Sequence, residues 1–196
     1  VTTYAGTPRG ILYVNGEIQN FRGTVSDRNQ VTVASTNDFQ IRDHVRYENH
    51  STTPRLNARG ANNILGILSW QGNVRIRTEA PDDVHVHATV MAPEGVFTVD
   101  DYNRRSPRGT ANILGGVITQ RYGAFGTFNS DGPVSGYGRN FIHDRRMLEG
   151  ESPPYFPTIT SFTSTNNGVN NLPAWDQIKG SNLDQILEND SRLEPI

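Results

Sequence analysis

The sequence predicts an all-β fold: a right-handed parallel β-solenoid (β-helix), followed by an extended C-terminal tail that carries a short helix. Three observations predict it. The first is a phrase used three times: Arg9-Gly10 opens GILYVNGEI, Arg59-Gly60 opens GANNILGILSWQGNVRI, and Arg108-Gly109 opens GTANILGGVITQRYGAFGTF. Ile64-Leu65-Gly66 and Ile113-Leu114-Gly115 recur inside the second and third copies. The second is period-two alternation in short runs, as in Val74 and Ile76 against Arg75 and Arg77, which suits a strand with one buried face. The third is the turn chemistry between the runs, with no amphipathic helix of three turns before residue 143. A repeated strand unit cannot bury its apolar face alone and needs a copy beside it. A sandwich of strands would need no such period.

The strands expected in order are Ile11–Val14, Val31–Ala34, Phe39–Ile41, Val45–Tyr47, Ile64–Ser69, Val74–Arg77, Val84–Met91, Val96–Val99, Ile113–Gln120 and Ala124–Phe128. Turns fall at Asn15-Gly16, Ser26-Asp27, Gln71-Gly72-Asn73, Pro81-Asp82-Asp83, Pro93-Glu94-Gly95 and Asp131-Gly132-Pro133, where glycine, proline and aspartate set the backbone. Ile64, Ile76, Val86, Val99, Ile113 and Val117 are the expected central column. Three prolines in Ser152–Pro157 end the pattern, because proline cannot donate to a ladder, and Tyr155 and Phe156 are placed to cover an open apolar end. Residues 1–157 thus read as the solenoid domain with its proline-rich terminal segment. Residues 158–196 read as a polar linker and acidic tail, with Ser181 capping a short helix that aligns Leu183, Ile186 and Leu187.

Composition narrows the function classes. An apolar fraction of 34%, with 19 glycines and 11 prolines, fits a narrow core with many turns. Cysteine is absent, so no disulfide framework exists. The chain shows no transmembrane run and no signal peptide, and it begins at Val1 rather than methionine, which predicts a mature or trimmed product. The net charge of −2 hides an asymmetry: residues 1–148 carry 16 Arg against 13 acids, whereas residues 149–196 carry seven acids against Lys179 and Arg192.

Four groups of residues are candidates for chemistry. His85 and His87 project from one face of a strand, but no spacing joins His44, His50 or His143 to them, so a solvated ladder is expected and no metal site. Asp82-Asp83 and Asp100-Asp101 are the only dense carboxylates, the sort that flank a scissile glycosidic bond, and their context predicts turn aspartates instead. Gly136-Tyr137-Gly138-Arg139 and Gly123-Ala124-Phe125-Gly126 open no helix and make poor phosphate loops. Finally, Arg104, Arg105, Arg108, Arg121, Arg139, Arg145 and Arg146 are interleaved with Tyr102, Tyr122, Tyr137 and Phe141, the mixture that suits a polyanion or single-stranded nucleic acid. No catalytic constellation and no cofactor motif emerge.

The ordered run of Asn63–Ile67, Val84–Ala88, Val90–Ala92, Phe97–Tyr102, Pro107-Arg108-Gly109, Leu114–Ile118, Gly123–Phe128, Gly136–Arg139 and Pro153–Pro157 resembles an uncharacterised bacterial domain family frequent in the Deinococcus–Thermus group. Members often follow a pilin-like hydrophobic helix. The run is also similar to the β-solenoid portion of the pilin-like competence DNA receptor of Thermus. The lack of a catalytic constellation predicts a non-enzymatic protein, and the resemblance implies an extracytoplasmic structural or binding module of a type IV pilus-associated, minor-pilin-like assembly. Its implied partners are envelope or pilus proteins, and DNA or a surface glycan. The competing expectations are a surface-layer or envelope component, and a β-helix enzyme acting on polysaccharide.

Overall fold

The computed structural model describes residues 9–51, 57–58 and 60–157, and the expected acidic tail with its helix lies outside them. Thirteen strands form two sheets: β1 Arg9–Val14, β2 Ile18–Val25, β3 Gln30–Ser35, β4 Phe39–Tyr47, β5 Ile64–Ser69, β6 Val74–Ile76, β7 His85–His87, β8 Thr89–Ala92, β9 Phe97–Val99, β10 Pro107–Gly115, β11 Val117–Thr119, β12 Gly126–Asn129 and β13 Gly132–His143. A 3-10 turn, Arg145–Glu149, follows β13.

The five-stranded sheet runs β1-β3-β5-β8-β11, parallel throughout, and its pairings run without a register shift. Val33, Ile67, Val90 and Val117 therefore share one row of rungs. In the eight-stranded sheet the parallel pairings align Phe39, Val74 and Phe97, then Ile41, Ile76 and Val99, then Val45, Val86 and Ile113. These rows meet between the sheets as one apolar core. Of the expected column, Ile76, Val86, Val99 and Ile113 lie in that core, Ile64 is buried, and Val117 is half-buried against it. Stacking such rows removes apolar surface at about 25 cal/mol per Å².

The expected right-handed parallel β-solenoid is corrected by the pairing pattern. The eight-stranded sheet is mixed: β12 and β13 are antiparallel, with a bulge between Thr127 and Phe128. Its ladder also branches, because β4 pairs with β2, β6 and β7. The two ends of the path β12-β13-β10-β7-β4-β6-β9 approach each other, since Val99 N donates to Ala124 O at 3.0 Å and Tyr137 N to Phe125 O at 2.8 Å. The sheet is thus barrel-like and nearly closed. The physical reason lies in the chain reversal at Asp131-Gly132, where Gly132 has φ of 124° and folds β13 back on β12. A repeat period reports similarity between units, not the direction in which the last strand returns.

The two short corners that split the expected strands Val84–Met91 and Ile113–Gln120 are stacked. Ala88 N donates to Leu114 O (3.0 Å) and Val90 N to Gly116 O (2.8 Å). Gly115 has φ of 152°, and a Cβ there would collide with Ala88 O. Outside the five-stranded sheet, Phe156 packs on Ala34, Leu68 and Met91 with Trp70 beside them. It covers the flank of the sheet rather than an open end. Gly66 makes room, because a Cβ there would lie 2.6 Å from Phe156 Cδ2 and 2.9 Å from Pro153 Cβ. Thr32 Oγ1 donates to Pro154 O in the same strap.

Candidate functional site

The seven arginines of the expected polyanion face divide by their partners. Arg146 is internal: 5% exposed, it binds Asp144 through Nε and Nη2, and its Nη1 donates to Ala61 O (2.9 Å) and Asn63 O (2.7 Å). Asp144 also caps the 3-10 turn by accepting from Arg146 N at 3.1 Å. Arg108 is half-buried, with Nε 2.9 Å from Asp82 Oδ1, Nη1 donating to Thr78 O, and its guanidinium 5.1 Å from the Tyr137 ring centre. These two hold the fold together and are not free to bind a ligand. Arg104 is exposed near Asp101 (3.8 Å), and Arg105 donates to Thr78 O at 3.3 Å from an exposed position. Arg121 and Arg145 are exposed. Arg139 stacks 4.4 Å from the ring centre of Tyr122, which is 76% exposed. The structure thus brings Arg105 and Arg108 together at Thr78 O, leaves Arg104 beside Asp101, and sets Arg139 over the residue next to Arg121. Arg145 sits beyond β13 in the 3-10 turn.

Both carboxylate pairs stand in turns, and the second member of each, Asp83 and Asp101, has φ of 49°. Asp83 Oδ1 accepts from Thr110 N at 2.8 Å. Asp100 is held by two guanidinium groups, Arg75 Nη1 at 3.3 Å and Arg77 Nη1 at 2.5 Å. It lines an open depression of about 490 Å³ together with Thr78, Thr98 and Tyr102. Both guanidinium groups thus occupy the Asp100 carboxylate, which is committed to this ion-pair network. The Gly136–Arg139 segment is not a loop: it lies in β13, with Tyr137 buried and donating to Pro81 O at 2.8 Å.

The histidines converge, contrary to the expected solvated ladder. Val45 pairs with Val86, which sets His44 beside His85 and Arg46 beside His87. His50 follows β4 and closes the group, its ring centre 4.7 Å from His87 and 6.5 Å from His85. The rings of His44 and His85, and of His85 and His87, lie 5.6 Å apart. His87 is 0% exposed. Tyr47 N donates to its Nδ1 at 3.1 Å, so the proton of the neutral ring is assigned to Nε2, which has no hydrogen-bond partner. His85 N donates to His44 Nδ1 at 3.1 Å, which likewise assigns the His44 proton to Nε2. His50 Nδ1 lies 2.6 Å from Tyr47 O and donates to it. Burial lowers the pKa of His85 to about 4 and of His87 to about 3, with Arg46 and the neighbouring imidazoles pushing the same way. His44 is lowered too, by burial and Arg46 against Asp43.

Sequence reasoning missed Arg46 and the arrival of His44 and His50. A signal was present: His44-Val45-Arg46 and His85-Val86-His87 are the same pattern with the same inward valine. Among the described residues no group of three or more His, Asp or Glu is arranged to hold a metal ion, and no helix is long and apolar enough to cross a membrane. In comparisons with known proteins, no family model matches the chain, and no curated protein or solved structure is significantly similar to it.

Proposed function

We propose that this domain is a non-enzymatic, extracytoplasmic binding module of a type IV pilus-associated assembly, and that it contacts a polyanion through Arg105, Arg121 and Arg139. The observation that carries the binding reading is the stack of Arg139 on the exposed Tyr122 ring. An open aromatic face beside unpaired guanidinium groups suits a single strand, whose bases stack while its phosphates meet arginine. The non-enzymatic reading is supported by the carboxylates. Asp82, Asp83 and Asp100 each already serve an arginine or a backbone amide, and Asp101 faces Arg104. The placement in a pilus-associated assembly rests on the resemblance alone.

Titration with fluorescent single-stranded DNA tests the module. Binding should appear at low salt, show little sequence preference, weaken steeply as salt rises, and vanish when Arg105, Arg121 and Arg139 are all changed to Glu. No binding at low salt, or unchanged affinity in the triple variant, would refute the polyanion face. Release of reducing sugar or unsaturated product from a polysaccharide, abolished by Asp100→Asn, would overturn the non-enzymatic reading.

A further inference from the structure

We propose that Arg46, His44, His50, His85 and His87 form a binding site for a doubly charged oxyanion of the phosphate–sulfate class, separate from the arginine face. Three nitrogens of this one cluster, Arg46 Nε, His85 Nδ1 and His87 Nε2, are buried without a hydrogen-bond partner. Buried polar groups are nearly always satisfied, so three unmet nitrogens in one place point to an absent acceptor. His87 Nε2 is the strongest of them: its ring is fully buried, Tyr47 N fixes Nδ1 and so leaves the proton on Nε2, and the His50 and His85 ring centres lie 4.7 and 5.6 Å away.

The proton assignments select the ligand's sign. A metal ion needs a lone pair on the ring nitrogen that faces it. His87 and His44 each spend that lone pair on a backbone N–H, so each offers a proton at Nε2. Donors beside a guanidinium call for an anion. No acid of the described chain supplies it. Arg46 forms no ion pair among the described residues, Asp43 Oδ1 accepts from His44 N, and Asp83 Oδ1 accepts from Thr110 N. Several donors converging favour an ion with many acceptor positions over a monocarboxylate. His44, His50 and His85 are partly exposed, which leaves a way in.

Binding should take up protons. The charged groups that act on the imidazoles are Arg46 and Asp43 on β4 and Asp83 before β7, and from β2 Arg22 precedes the rung partner of Val45. From β10, Asn112 and Leu114 stand at the rungs of His85 and His87 and carry no charge. A bound dianion offsets Arg46 and the mutual repulsion of the rings, so the protonated forms of His85 and His87 become favourable. Sulfate stays doubly charged between pH 5.5 and 7.5, so its pH dependence reports the histidines rather than the ligand.

Isothermal titration with sodium sulfate in chloride buffer tests the site. Binding should be saturable and about tenfold or more tighter at pH 5.5 than at pH 7.5. Arg46→Gln should weaken it at least about tenfold while circular dichroism without sulfate is unchanged, and His85→Gln supplies a second variant if Arg46→Gln unfolds. Arg9→Gln, an exposed arginine of β1 outside both the cluster and the arginine face, should bind normally. Inorganic phosphate and a phosphate monoester distinguish a free ion from a phosphoryl group on a larger molecule: binding of phosphate alone indicates the former, and binding of both the latter. No saturable binding at about 20 mM at either pH overturns the proposal. So does unchanged affinity in both cluster variants, or equal loss in Arg9→Gln.

Discussion

Lowering the pH from about 7.5 to 5.0 should destabilise the folded protein through His87 before its carboxylates begin to titrate. The folded ring has a pKa of about 3 against an ordinary 6.5, because burial and the facing imidazoles oppose its charge. Between those values the unfolded chain binds the extra proton and the folded chain does not. Stability is therefore full above pH 6.5 and falls as the pH drops toward 3. At pH 5.0 the medium is about 1.5 units below the unfolded pKa, and at 1.36 kcal/mol per unit the loss is about 2 kcal/mol. His87 is fully buried, so no solvent screening reduces this figure. His85 and His44 push in the same direction. Glu79, whose pKa is lowered from 4.5, loses its contribution only below that value and leaves the window clear. Urea unfolding followed by circular dichroism at pH 7.5, 6.0 and 5.0, in buffer free of sulfate and phosphate, measures the effect. His87→Gln should be less stable at pH 7.5 and lose about one proton's worth of the pH slope. A stability that stays flat over this range, or an identical slope in the variant, would refute the reasoning.

Two further outcomes follow from packing. Arg146→Ala should cost about 3–5 kcal/mol, because Asp144 would remain buried and unpaired, and adding Asp144→Ala should recover part of the loss in the same urea assay. Gly115→Ala should cost more than about 2 kcal/mol through its φ and the collision with Ala88 O, whereas Gly10→Ala, with nothing within 4 Å of its Cβ, should stay within about 0.5 kcal/mol.

Alternation and turn residues made most strands legible, since both follow from local backbone sterics. What they left out is specific. β2 and β13 escaped because Gly23, Gly136 and Gly138 interrupt their apolar pattern, and β13 gains its place by pairing with β10 rather than from propensity. The antiparallel pairing of β12 with β13 escaped because direction is decided at Asp131-Gly132, where the chain merely looks like a turn. Arg108 and Arg146 looked like free surface charge, yet their roles depend on Thr78 O, Ala61 O and Asn63 O, backbone atoms far away in sequence. The histidine cluster was hidden for the same reason. The separation of 41 positions from His44 to His85 carries no spacing signal until the register of Val45 and Val86 is known.

The strap and the Arg146 staple place a clock on synthesis. Ala61 and Asn63 accept from a guanidinium made more than 80 residues later, and Thr32 waits 122 residues for Pro154. A nascent chain that has emerged only as far as β13 still has Ala34, Leu68 and Met91 without Phe156 to cover them. The early strands must then remain sticky and open to proteases until the last dozen described residues arrive. A chain handed across a membrane in an extended state would meet the same order, covering Ala34, Leu68 and Met91 only after Phe156 has come through.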